Sequence, residues 1–222
     1  MDAHSIHVKE EQARESGNFL EALRLSDEAT LLYQKEGDVV GLAEIQSARF
    51  EIFKHLFFET NDKSFLILGK MSAKAGVKIA ENSGKTEALA IPLFCLAKAL
   101  TLLKKHEKAQ EKYQEALEVL PQSHQNRPSV EADIKIHKAI CSIEMGNSGG
   151  ENDALQAISD LEGSDEQKYE KDVWISGAYL KLAEALSSRE YLEKAKAIID
   201  ASPELVLRKK QLEKLTASLF QN

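Results

Sequence analysis

Residues 91–121 read IPLFCLAKALTLLKKHEKAQEKYQEALEVLP, from Ile91 to Pro121. Leu93, Leu96, Ala97 and Leu100 form one apolar stripe, and Ala109, Tyr113, Ala116 and Leu117 a second. Both recur at three- and four-residue steps, the period that places side chains on one face of an α-helix. The pattern therefore predicts two helices joined by a short polar turn. The alanines allow the two backbones to come close, and Tyr113 fills the space beside them. Pro121 ends the second helix, because proline lacks the amide donor and its ring clashes with the preceding turn.

Composition supports extending this reading outward. Of 222 residues 43% are hydrophobic, enough to build a core, and only four are proline and eleven glycine, which suits long helices with few turns. No run of alternating β-branched residues persists, so strands are not expected. The formal net charge is −7, with Lys and Glu interleaved. That balance argues against nucleic acid or an anionic membrane as partner. No basic N-terminal run precedes an apolar segment, and no apolar stretch approaches the length of a membrane span. Cys95 and Cys141 are the only thiols, each inside a helical pattern. Together these features predict a soluble, cytoplasmic protein without a disulfide framework.

The stretch 91–121 resembles a tetratricopeptide repeat, whose pattern is a large residue, x2, Leu-Gly, x2, Tyr, then Ala-x3-Phe and Pro. Ala97 stands for the glycine and Leu100 for the aromatic, with the spacings kept. Copies lie at a regular distance. Ala22 stands 87 residues before Ala109 and Ala195 stands 86 after it. Around Ala22 a Gly17-Asn18-Phe19 turn leads to Ala22, Ser26 and Ala29 on one face. Around Ala195, Tyr179-x2-Leu182-Ala183-x2-Leu186 leads to Ala195-x3-Ile199. These marks are two units apart, so the period is about 43 residues.

The resemblance implies a right-handed α-solenoid of five hairpins, about 3–34, 38–82, 86–121, 129–162 and 168–201. A capping helix over 203–220 completes one domain spanning 1–222. Lys9 and Glu10 occupy the Leu-Gly place in the first helix, leaving its inner face poor. In the second hairpin, Gly69, Ala73 and Gly76 make a stripe of small residues facing a helix crowded with Phe50, Phe53, Phe57 and Phe58. In the fourth, Lys135 and Lys138 interrupt any single stripe, and the register stays open. Pro92 leaves two readings open: a helix beginning at Ile91, or one from Thr86 kinked at the proline. The loop QSHQNRPS, Gln122 to Ser129, reads as a connection between repeats and not as a domain boundary. After Pro203, Leu205, Leu212, Leu215 and Leu219 are apolar and Arg208, Lys209 and Lys210 polar, as expected of a cap.

Few residues propose chemistry. Gly146-Asn147-Ser148-Gly149-Gly150 satisfies G-x-S-x-G, but a nucleophile elbow needs a strand before it, and IKIHKAICSIEM reads as helix. His4 and His7 share a helix face without further ligands to complete a metal site. His55, His106, His124 and His137 are scattered, and Trp174 and Tyr179 read as core. No enzyme activity, metal or cofactor is expected.

The resemblance implies a non-catalytic scaffold that holds a protein or peptide along its first helices. The family's groove positions correspond to Ile91, Phe94, Lys98 and Thr101 in the best-matched repeat. They correspond to His4, His7, Glu11 and Arg14 in the first, and to Gly177, Leu180, Glu184 and Ser187 in the last. An apolar or amphipathic segment anchored at Phe94 is the expected ligand; chaperone tails are not, since Phe94 and Glu11 stand where cationic or amide side chains would be needed. Phe94 packing against the next hairpin is the competing reading. Other classes weighed are a peptide-responsive regulatory sensor, which an attached DNA-binding domain would favour, and self-assembly through the ends, which the polar cap opposes. The oligomeric state is left open.

Overall fold

In the computed structural model, which describes residues 2–220, every regular element is helical. The first starts where the Asp2 carboxylate accepts the Ser5 amide at 2.8 Å, giving α1 over Ala3–Glu15. A turn at Gly17 leads to α2, Phe19–Glu36, which ends at Gly37 in the left-handed region. Asp38 caps α3, Val39–Thr60, by accepting the Gly41 amide at 3.0 Å. Asp62 caps α4, Lys63–Ser83, in the same way. A 3-10 turn at Thr86–Ala88 precedes α5, Ala90–Leu102. Pro92 is thus the third residue of a new helix, where its missing amide would have no partner. α6, His106–Val119, is followed by a 3-10 turn at Leu120–Gln122 carrying Pro121.

The second set begins at Pro128. α7 spans Pro128–Glu144, α8 Gly150–Glu162, α9 Lys168–Leu186, α10 Arg189–Ala201 and α11 Val206–Phe220. No helix of the described residues is long and apolar enough to cross a membrane.

Contacts group into two compact units, Met1–Asn126 and Arg127–Asn222, whereas the sequence predicts one domain over 1–222. The division falls inside the 122–129 loop, which reads in sequence as a mere connection between repeats. Pro128 explains why the chain breaks there: it forces Arg127 into extended backbone (φ −130°, ψ 144°), so no helix can run through.

In the first unit, α1 pairs with α2, α3 with α4 and α5 with α6. α1 also lies against α3, and α3 against α5. The alanines at the hairpin crossings, Ala22, Ala29, Ala109 and Ala116, are fully buried with Tyr113. α5 is buried almost all round, from Ala90 to Leu100, apart from Ile91 and Lys98. Such a helix sits inside its layer rather than on it. The small-residue stripe of α4 does what its composition suggests. A Cβ on Gly69 would meet the Phe50 ring at 3.2 Å, and one on Gly76 would stand 2.8 Å from the Ala43 carbonyl oxygen.

In the second unit α7 pairs with α8 and α9 with α10, while α9 also lies against α7 and α11. The missing stripe of α7 has a direct cause. Ile136, Ala139 and Ile140 are buried in the core shared with α8 and α9, Ile134 and Cys141 are fully buried outside that cluster, and Lys135 is exposed, so buried positions fall on more than one side of the helix. Leu205, just before α11, and Leu212 of α11 are buried in the core of the unit, with Leu215 packed against it. Arg208 of α11 does not point into solvent. The guanidinium lies against Gly177, and Nε donates to the Val173 carbonyl at 2.9 Å.

Candidate functional site

The first helices of the first unit, α1, α3 and α5, carry a connected set of charged side chains across their shared layer. At its centre is Glu51, flanked by Lys54 one turn on and by Lys98 from α5, both ion-paired to it. Burial alone would push the Glu51 carboxyl up, but Lys54, Lys98 and Arg14 together hold it well below the usual carboxylate range. Lys98 serves twice. Its Nζ also lies 4.2 Å from the centre of the Phe94 ring and 5.6 Å from that of Phe50, over two aromatic faces. The lysine stem and charge thereby cover both rings.

On α1, Arg14 is largely buried and pairs with Glu10 at 3.3 Å, with Glu11 at 3.6 Å and with Glu15. Glu10 is completely buried, and its Oε2 accepts no hydrogen bond among the described residues. Burial pushes its carboxyl up to about 7 against the pull of Arg14. The inner face of α1, expected from Lys9 and Glu10 only to be poor, thus holds a buried acid. His7, one turn earlier, is within 3.1 Å of the Tyr33 hydroxyl through Nδ1. Burial, with Arg14 and His4 nearby, lowers its pKa to about 4. The imidazole is therefore neutral at pH 7. Cys95 lies 3.9 Å from Glu51, and burial pushes its thiol up to about 11, so it is no thiolate nucleophile at neutral pH.

The groove positions carried over by spacing fall into different environments. Glu11 and Glu184 are exposed and Ile91 is half-buried. Thr101 is turned inward, its hydroxyl bonded to the Ala97 carbonyl at 3.1 Å and 3.2 Å from the Tyr113 hydroxyl. Phe94 is 4% exposed, with its ring 6.1 Å from that of Tyr113 and Lys98 over its face. It is a core side chain and cannot serve as an exposed anchor. Leu180 is likewise core at 6% exposure. Gly177 lies beneath the Arg208 guanidinium, so α11 covers that part of α9. Ser187 adopts left-handed backbone at the end of α9 and acts as a helix stop.

Glu51, Lys54 and Glu10 were missed as members of the set. A signal for Glu51 existed: stepping about 43 residues back from Phe94, the inferred period, lands on it. The GNSGG segment is a turn between α7 and α8, and helix α7 precedes it in place of the strand an elbow requires. Among the described residues no group of three or more His, Cys, Asp or Glu side chains is placed to hold a metal.

Comparison with known proteins adds the fold. Neither a family model nor a curated protein matches the sequence. The structure is similar to that of BtubC (BKLC) from P. vanneervenii, with a TM-score of 0.58 and 17% identity over 97% of this chain and 80% of that one. At that identity the likeness is one of fold.

Proposed function

We propose that this chain is a non-catalytic binding module built from tetratricopeptide-like hairpins in a right-handed solenoid, which holds a protein or peptide along its first helices. The observation that carries this reading is the layer of α1, α3 and α5, whose charged side chains are fixed by one another. Fixed ion pairs offer a preorganised surface, so little side-chain entropy is lost when a partner adds to it. Burial of Phe94 changes the expected ligand. A segment resting here meets Lys98, Glu51, Arg14 and Glu11, together with the half-buried Ile91, rather than an apolar pocket. An amphipathic peptide carrying charges of both signs fits that face. The net charge of −7 opposes nucleic acid, and the buried free thiols of Cys95 and Cys141 suit a reducing, cytoplasmic setting.

Site-specific photo-crosslinking tests the reading. Crosslinkers at Glu11 and Ile91 are expected to trap a protein partner in cells of the native organism, whereas crosslinkers at Glu111 and Glu118, exposed on α6, do not. Equal trapping from both sets, or from α6 alone, rejects the face.

A further inference from the structure

We propose that the outer face of α4 is a second docking surface, built for an acidic amphipathic helix of a partner protein. α4 buries Leu66, Gly69, Ala73, Gly76, Val77 and Ala80 within its unit. On the opposite side Ile67, Leu68 and Met71 are 53%, 42% and 60% exposed, three large apolar side chains within two turns. With the exposed Ser64 and Ala75, Leu68 and Met71 follow four-three-four spacing, the seam that receives another helix.

Charge identifies what that helix carries. From Lys63 to Ala80 there is no Asp or Glu, although the chain has 36, and there are four lysines in a chain of net charge −7. Lys63, Lys70 and Lys74 lie along one edge of the seam, and none of them has an ion-pair partner among the described residues; only Lys78 is paired, to Glu81 at 2.6 Å. Each of the other cation-bearing second helices carries carboxylates that neutralise outer cations locally, Arg24 by Glu21 and Glu28 on α2, Lys112 by Glu115 on α6, Lys194 and Lys196 by Glu190 and Asp200 on α10, although Lys35 and Lys108 have no ion pair among the described residues. On α4 the carboxylates must come from outside. A second copy of this chain is a poor source, because a symmetric antiparallel pairing sets the lysine row against itself. An anionic bilayer is also disfavoured, since the whole chain is acidic and the apolar strip is narrow. A helix with apolar side chains at three-four spacing and Asp or Glu along one flank complements both features.

The test uses a fluorescein-labelled synthetic helix of about 20 residues, with Leu on a three-four seam and Glu along one edge. The full chain is expected to bind it saturably, with amide shifts confined to α4 in NMR spectra. Lys70→Glu/Lys74→Glu should weaken binding at least about tenfold, and the same peptide with Lys in place of Glu should bind that double variant instead. Should the double variant fail to fold, the footprint on the parent protein decides. The proposal is overturned if there is no saturable binding, if charge reversal leaves affinity unchanged, or if the footprint lies outside α4. It is equally overturned if phosphatidylserine vesicles bind this face in preference to the peptide, or if the chain dimerises through it and Ile67→Glu abolishes the dimer.

Discussion

At the residue scale, Glu10 and His7 set the pH response of the first unit. The folded state keeps a proton on Glu10 up to about pH 7, which the unfolded chain gives up near 4.5. Ionising Glu10 therefore opposes folding: the penalty is absent below pH 4.5, grows as pH rises, and is complete above 7. His7 acts in the reverse sense. Its pKa falls from 6.5 to about 4 on folding, so its contribution is full above 6.5 and lost as pH falls towards 4. Between about pH 4.5 and 6.5 the two slopes offset each other. Glu10→Gln is expected to expose the His7 slope alone, with stability rising over that interval. Above about pH 7 it should exceed the parent by about 3–4 kcal/mol, since a displacement of about 2.5 pH units corresponds to roughly that much. Urea unfolding at several pH values measures both, and a variant offset that is constant with pH would refute the account. Glu10 was legible only as a polar residue in an apolar place. Its burial depends on Arg14 and on the helices laid over it, neither of which the local pattern specifies.

At the scale of elements, close approach decides the sign of small changes. Gly→Ala in a helix ordinarily stabilises by about 1 kcal/mol. Gly76→Ala should instead destabilise by about 1–3 kcal/mol, because the new Cβ would stand 2.8 Å from the Ala43 carbonyl, which belongs to the backbone of α3. Gly149→Ala, with nothing within 4 Å, serves as the control and should stay within about 0.5 kcal/mol of the parent. Ala109→Leu, at a fully buried crossing of α5 and α6, should cost about 1–3 kcal/mol. Thermal melting of the three variants distinguishes these outcomes; an Ala109→Leu protein as stable as the parent would place that crossing wrongly. Removing α11 takes Leu212 and Leu215 out of the core of the second unit and withdraws Arg208 from Gly177 and from the Val173 carbonyl. Residues 1–204 are expected to aggregate where the full chain stays monodisperse by light scattering.

At the scale of the molecule, the division at Asn126 and Arg127 predicts that residues 1–126 alone give a cooperatively unfolding helical domain. A shallow, non-cooperative melt of that fragment by circular dichroism would show that the unit needs the rest of the chain. What the sequence determined by itself is local in origin. The three-four spacing of Leu93 to Leu117 makes helices, and Asp38, Asp62 and Gly37 start or stop them through hydrogen bonds and backbone freedom within a few residues. All-helical character follows from such signals without knowledge of the tertiary arrangement. Which face of a helix is covered does not. Phe94 stands at a position that spacing alone assigns to a groove, yet Lys98, held by Glu51 from 47 residues earlier, lies across its ring. Gly177 is open by periodicity and covered in fact by Arg208, 31 residues on. Burial is a property of neighbours brought together by folding, so only the tertiary structure could decide that Phe94 belongs to the core and that Ile67, Leu68 and Met71 do not.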